Sequence, residues 1–197
     1  IRDRDMEKMA AMLPTDKPCL RTSAFDTFKS RIPWLLLLMV SATLTGIVIT
    51  RFENSLAALP CLTAFIPMLM DTGGNCGSQS STLVIRGLAI GEIEFRDLFK
   101  VIWKEVRIAV CISIILAVVN GTRILIMGQG DAMMAFTIGV TMACTVIIAK
   151  VVGCTLPLVA KKVGLDPAIM ATPLISTLVD ISTISVYFAI VSFVFRL

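Results

Sequence analysis

The chain has 197 residues, of which 56% are hydrophobic and 16% charged, with a net charge of +4 and no histidine. Such apolarity excludes a soluble fold of this size and marks an integral membrane protein. The missing imidazole excludes His-based triads and zinc-hydrolase sites, and six cysteines without a CxxC pair read as small buried hydrophobes rather than a disulfide framework.

Ile1 to Arg31 is charged, starts without methionine and has no signal-peptide pattern, as expected of a segment that further chain once preceded. Asp3 to Met12 can form a short amphipathic helix that Pro14 and Pro18 then break. Crossing a hydrocarbon core of roughly 30 Å takes about 20 apolar residues. Five segments approach that length, at about 33–52, 56–88, 107–127, 132–160 and 168–195.

Pro33 and Trp34 introduce the first segment. The second carries Pro60 and Pro67, which should kink or break its helix and free carbonyls that lipid cannot satisfy. From Gly91 to Arg107 charges alternate with Phe95, Leu98, Phe99, Ile102 and Trp103, the pattern of a surface-lying amphipathic helix feeding the third segment. Gly128 to Asp131 is a tight polar loop, and Gly164, Asp166 and Pro167 form a turn with Asp166 as helix N-cap. A cytoplasmic leader puts its seven basic residues on the same side as Arg86, Arg96, Lys100, Lys104, Arg107, Lys161 and Lys162. Only Arg51, Arg123 and Arg196 then lie outside, so the N terminus is expected in the cytoplasm and the C terminus on the opposite face. The positive charge follows from this topology and implies no nucleic-acid partner.

Pro67 to Gly87, PMLMDTGGNCGSQSSTLVIRG, is the polar, glycine-rich exception within the apolar chain. On a helix Asp71, Asn75, Gln79 and Thr82 line one stripe, while Gly73, Gly77 and Ser81 line a neighbouring face slim enough for another helix to approach. The last segment places Thr172, Ser176, Asp180 and Thr183 at successive turns, with Tyr187 one turn beyond. Asp71 and Asp180 are the two carboxylates expected deep in the bilayer, where an acid is a functional hypothesis by default. Carboxylates, amides, hydroxyls and freed carbonyls are hard oxygen ligands suited to Mg²⁺, which stays largely hydrated. One Asp180 per chain is sparse, and a two-fold axis would bring two to the same ion, so a homodimer pore is expected.

Four runs, PMLMDTGGNCGSQ, STLVIRGLAIGE, GLDPA and PLISTLVDISTISVYF, in this order and spacing resemble the transmembrane domain of the MgtE magnesium channel and transporter family. The resemblance implies an all-α membrane domain of five helices, residues 32–197, forming a homodimer whose broken or kinked second and fifth helices line the pore. It further implies magnesium uptake across a prokaryotic plasma membrane, no enzymatic activity, and Mg²⁺ as both cargo and regulator. Residues 1–31 correspond to the remnant of a helix that links a cytosolic regulatory part, missing here, to the channel and plugs it. Asp180 matches the family's central magnesium-binding aspartate, Ser176 a position contributing its carbonyl, Asn75 the asparagine of GGN, Thr172 a position where some members have asparagine, Asp166 the mouth motif, and Asp5 an acid of the plug helix.

Two residues depart from the family pattern. Asp71 stands where some members have glycine and Lys150 where some have asparagine. They are expected either to pair, leaving Asp180 as the main cation ligand, or to leave Asp71 free as a second carboxylate ring. Two other readings compete with a channel. Asp71-Thr72-Gly73 spells the DTG of aspartic proteases, but soluble DTG sites sit in β-rich folds. A cation-coupled secondary transporter also uses broken helices and midplane acids, although the sequence shows no convincing internal repeat.

Overall fold

The computed structural model describes residues 23–53, 57, 59–167 and 173–196. Among them five helices exceed twenty residues: α1 (Ala24–Thr50), α2 (Ile66–Ala89), α3 (Leu98–Ile126), α4 (Ala132–Lys162) and α5 (Pro173–Phe195). Four helical stretches, those of α1, α3, α4 and α5, are long and apolar enough to cross a membrane. The helix that falls short is α2, because its centre is the polar run DTGGNCGSQSST.

The bundle is built around α4, which packs against α2, α3 and α5. Its core joins Leu69 of α2, Ile124 of α3, Ile138, Met142 and Val146 of α4 and Ile175, Val179 and Phe188 of α5, all buried. By contrast α1 packs on α5 and leaves Leu35, Leu36, Met39, Val40 and Leu44 exposed, an apolar surface suited to hydrocarbon. Its C-terminal end is held where Phe52 stacks on Phe188 with ring centroids 4.4 Å apart.

Several boundaries differ from those expected. α1 starts at Ala24, where the Ser23 hydroxyl accepts a hydrogen bond from the Phe25 N–H, so Pro33 lies inside the helix instead of opening it. The second segment is not one helix. Pro60–Phe65 is a 3-10 turn, and Pro67 sits in the first turn of α2, where a missing N–H costs nothing, so it begins the helix without kinking it. Inside this turn the buried Tyr187 hydroxyl donates to the Leu62 carbonyl at 2.9 Å, tying α5 to the break. The amphipathic stretch after Gly91 forms no separate surface helix. A 3-10 turn at Phe95–Asp97 leads straight into α3, since nothing between Leu98 and Ile126 interrupts helical hydrogen bonding. The fifth helix, expected to be broken or kinked, is one continuous α-helix over the described part, Pro173–Phe195; residues 168–172 of that segment lie outside the described residues.

The tight loop between α3 and α4 is as expected: Gly128 has φ +63 and the Asp131 carboxylate caps α4 by accepting from the Met134 N–H at 2.8 Å. At the other end Lys161 donates to the Leu88 carbonyl at 3.3 Å and the Lys162 ammonium sits 4.2 Å from the Phe95 ring centre. These contacts gather the ends of α2 and α4 and the start of α3, with Arg86, Arg96, Lys100, Lys104, Lys161 and Lys162, at one end of the bundle.

Candidate functional site

The two faces foreseen for α2 separate cleanly. Asp71, Asn75, Gln79 and Thr82 are exposed, whereas Gly73, Gly77 and Ser81 are buried. A Cβ on Gly73 would meet Val179 of α5 and Thr145 of α4, and one on Gly77 would meet Ile175 and the Ala149 carbonyl. From the other side a Cβ on Gly153 would strike the backbone of Gly77, so α2 and α4 cross at these two glycines. Small residues at the contact let α2 seat deeply, and helical geometry then turns its oxygen-bearing stripe outward.

Opposite that stripe α5 presents Ser176 and Asp180, both half-buried. Together Asp71, Asn75, Ser78, Ser176 and Asp180, with Met70 and Gly74, line an open groove of about 310 Å³. Within it the Asn75 amide nitrogen donates to the Asp71 carboxylate at 3.1 Å, which leaves the Asn75 carbonyl oxygen for another partner. Among the described residues no three Asp, Glu or Cys side chains of one chain converge on a point. The groove therefore offers two carboxylates and several neutral oxygens, a donor set whose chemistry suits a hydrated hard cation more than a dense cage.

Four of the expected site residues, Asp71, Asn75, Ser176 and Asp180, thus share one surface. Asp166 is half-buried in the turn after α4 and is not part of the groove wall. Thr172 and Asp5 lie outside the described residues. Thr183 and Tyr187 continue the α5 stripe in sequence but are buried beneath neighbouring helices and the Pro60–Phe65 turn, so they serve packing.

The expected Asp71–Lys150 pair does not exist. Lys150 lies buried on α4 and its ammonium bonds Glu105 of α3 at 3.2 Å and the Ser80 hydroxyl of α2 at 3.1 Å. Ser80 in turn donates to the same Glu105 oxygen at 2.6 Å. Besides the groove acids the chain thus has a buried one: Glu105 is fully compensated inside the bundle. Its signal was present in the sequence, because Glu105 falls on the inward register of Leu98, Val101, Ile102 and Ala109, and a charge on an apolar register needs a partner. Three helices are clasped at this point, one of them the helix that carries Asp71 and Asn75.

The family model described as "MgtE: Divalent cation transporter" matches residues 66–190. The chain is 34% identical over 192 residues to the magnesium transporter MgtE of Bacillus subtilis, covering 95% of this chain and 41% of that protein. It is 30% identical over 186 residues to the magnesium transporter MgtE of Thermus thermophilus, 94% of this chain and 41% of the relative. The Enterococcus faecalis magnesium transporter MgtE is 30% identical over 169 residues, 84% of this chain and 36% of that protein. The chain thus spans well under half the length of these curated relatives.

Proposed function

The chain belongs to the MgtE family of divalent cation transporters, and we propose that it moves Mg²⁺ across a prokaryotic plasma membrane through a pore formed by two copies of the chain. The observation that carries this reading is the orientation of α2 and α5: their small and apolar faces are buried, and their oxygen-rich faces meet in a groove open to one side of the chain. A carboxylate facing hydrocarbon costs several kcal/mol. A second copy across a two-fold axis converts the open groove into an enclosed polar path and doubles its carboxylates.

In this reading Asp180 is the central cation ligand, with two copies of it facing the same hydrated ion. Asn75, clamped to Asp71, turns its free carbonyl oxygen to the ion's water shell, and Ser176 adds oxygen one turn from Asp180. Asp71, not neutralised by Lys150, adds a second carboxylate ring. Two or four carboxylates around a divalent ion that keeps its waters attract it without trapping it, which is what conduction requires. Thr172 would extend the path along α5 and Asp166 would stand at its cytoplasmic mouth. The basic end of the bundle faces the cytoplasm in this topology, with the N terminus inside and the C terminus outside. Asp5, on a linking helix shared with an N-terminal regulatory part, would let cytosolic Mg²⁺ close the path.

The test is Mg²⁺ influx into liposomes that contain the purified chain and a magnesium-sensitive dye. Chain-dependent influx down an imposed Mg²⁺ gradient, together with a cross-linkable dimer, is expected. Absence of influx from folded protein contradicts the reading.

A further inference from the structure

A second cavity, of about 380 Å³, lies between the last third of α2 and the first third of α3, away from the cation groove. Arg86 of α2 and Lys100 and Lys104 of α3 supply its cationic wall, Glu92 and Glu105 its acidic one. Two of these charges are already met. Lys100 bonds Asp97 at 2.9 Å, and Glu105 is held from inside by Lys150 and Ser80. Arg86 and Lys104 have no ion-pair partner among the described residues, so the cavity presents two uncompensated cations beside the single carboxylate of Glu92.

Its surroundings are those of a membrane boundary. Leu83, Phe99 and Trp103 are all largely exposed on the two helices that carry the basic groups, and a tryptophan at this level fits the headgroup region. An apolar flank next to a pair of free cations matches one kind of molecule, an amphiphile with acyl chains and an anionic head. A soluble anion would use the cations and leave the apolar flank bare.

We propose that this cavity is a binding site for an anionic glycerophospholipid of the adjoining leaflet. Arg86 and Lys104 hold its phosphate, the acyl chains run over Leu83, Phe99 and Trp103, and a hydroxyl-bearing headgroup donates to Glu92. Because Glu105 forms part of the cavity wall, the lipid also shields from water the buried ion pair that clasps α2.

The chain has two tryptophans, and Trp34 has a buried ring N–H without a partner, so a Trp34→Phe background leaves Trp103 as a local reporter. The full chain in this background is reconstituted in bilayers containing brominated phosphatidylglycerol or brominated phosphatidylcholine, and Trp103 quenching gives their relative association. Phosphatidylglycerol is expected to associate at least threefold more strongly, falling to parity in Arg86→Gln/Lys104→Gln. Arg123→Gln, at the opposite end of the bundle, should leave the preference intact. Equal quenching by both lipids in the unsubstituted cavity overturns the proposal, as does an undiminished preference in the double variant. Inorganic phosphate at millimolar concentration should leave the quenching unchanged; loss of the preference on adding it would make the site one for a free anion and overturn the lipid assignment.

Discussion

Lys150 of α4 and Glu105 of α3 form an ion pair of 3.2 Å whose side chains are only 4% and 7% exposed, with the Ser80 hydroxyl of α2 bonded to both. Breaking such a pair by removing one partner strands the other charge and costs about 3–5 kcal/mol, whereas replacing both with apolar groups of similar size is often neutral. Lys150→Met and Glu105→Gln should therefore each lower unfolding stability in detergent severely, and Lys150→Met/Glu105→Leu should recover most of the loss. Adding Asp71→Asn to Lys150→Met should give no rescue, because those residues do not touch. A rescue by Asp71→Asn and not by Glu105→Leu would contradict the structure.

The glycine crossing of α2 on α4 makes a second prediction. A Cβ at Gly153 meets the Gly77 backbone, which cannot swing aside as a side chain can. Gly153→Ala should cost at least the ~1–3 kcal/mol typical of overpacking and displace the groove, lowering uptake as well as stability. Gly46→Ala, at a helical site with open space around it, should instead gain roughly 0.5–1 kcal/mol. Unfolding midpoints of the two variants, measured side by side, check the contrast.

Tyr187 offers a cleaner test of the break before α2. Tyr187→Phe keeps the ring buried and removes only the donor to the Leu62 carbonyl, a hydrogen bond worth about 0.5–1.5 kcal/mol net. Stability should fall by this amount while Mg²⁺ selectivity is unchanged, since Tyr187 is not part of the groove. An unchanged unfolding midpoint would contradict a stabilising role for this hydrogen bond.

What the sequence made legible, and what it hid, divides along a physical line. The two faces of α2 were readable because helical periodicity is strict over a single uninterrupted helix, and the placement of Asp71 and Asn75 followed from it. The groove partners Ser176 and Asp180 were readable because a polar residue in an apolar span is conspicuous. Lys150 was equally conspicuous, but its partner was not. Glu105 sits in a charged window with Glu92, Glu94, Arg96 and Lys104, where one more acid looks like solvated surface, and only the inward register of α3 distinguishes it. Helix boundaries at Ala24 and Ile66 were displaced from expectation because proline was read as opening or kinking a helix, whereas Pro33 is accommodated inside α1 and Pro67 in the first turn of α2. Thr183 shows the remaining gap: shared periodicity with Asp180 does not reveal which turns of α5 a neighbouring element covers.

The groove's charge can be apportioned between its two acids. Asp71→Asn keeps the shape and much of the hydrogen bonding with Asn75 but removes one negative charge per chain. A reduction of Mg²⁺ influx by several-fold, with stability unchanged, is expected if Asp71 forms a second ring. Influx equal to that of the parent chain would leave Asp180 as the lone charged ligand.

The central claim, that Asp180 coordinates the moving ion, is tested most directly by Mg²⁺ influx into proteoliposomes carrying Asp180→Asn. The amide is nearly isosteric with the carboxylate and sits on a half-buried groove wall, so folding, dimer cross-linking and membrane insertion should persist. Influx should fall by at least tenfold, to the level of protein-free liposomes, and Asp180→Glu should recover part of it. Parent-level influx through folded Asp180→Asn would contradict the account.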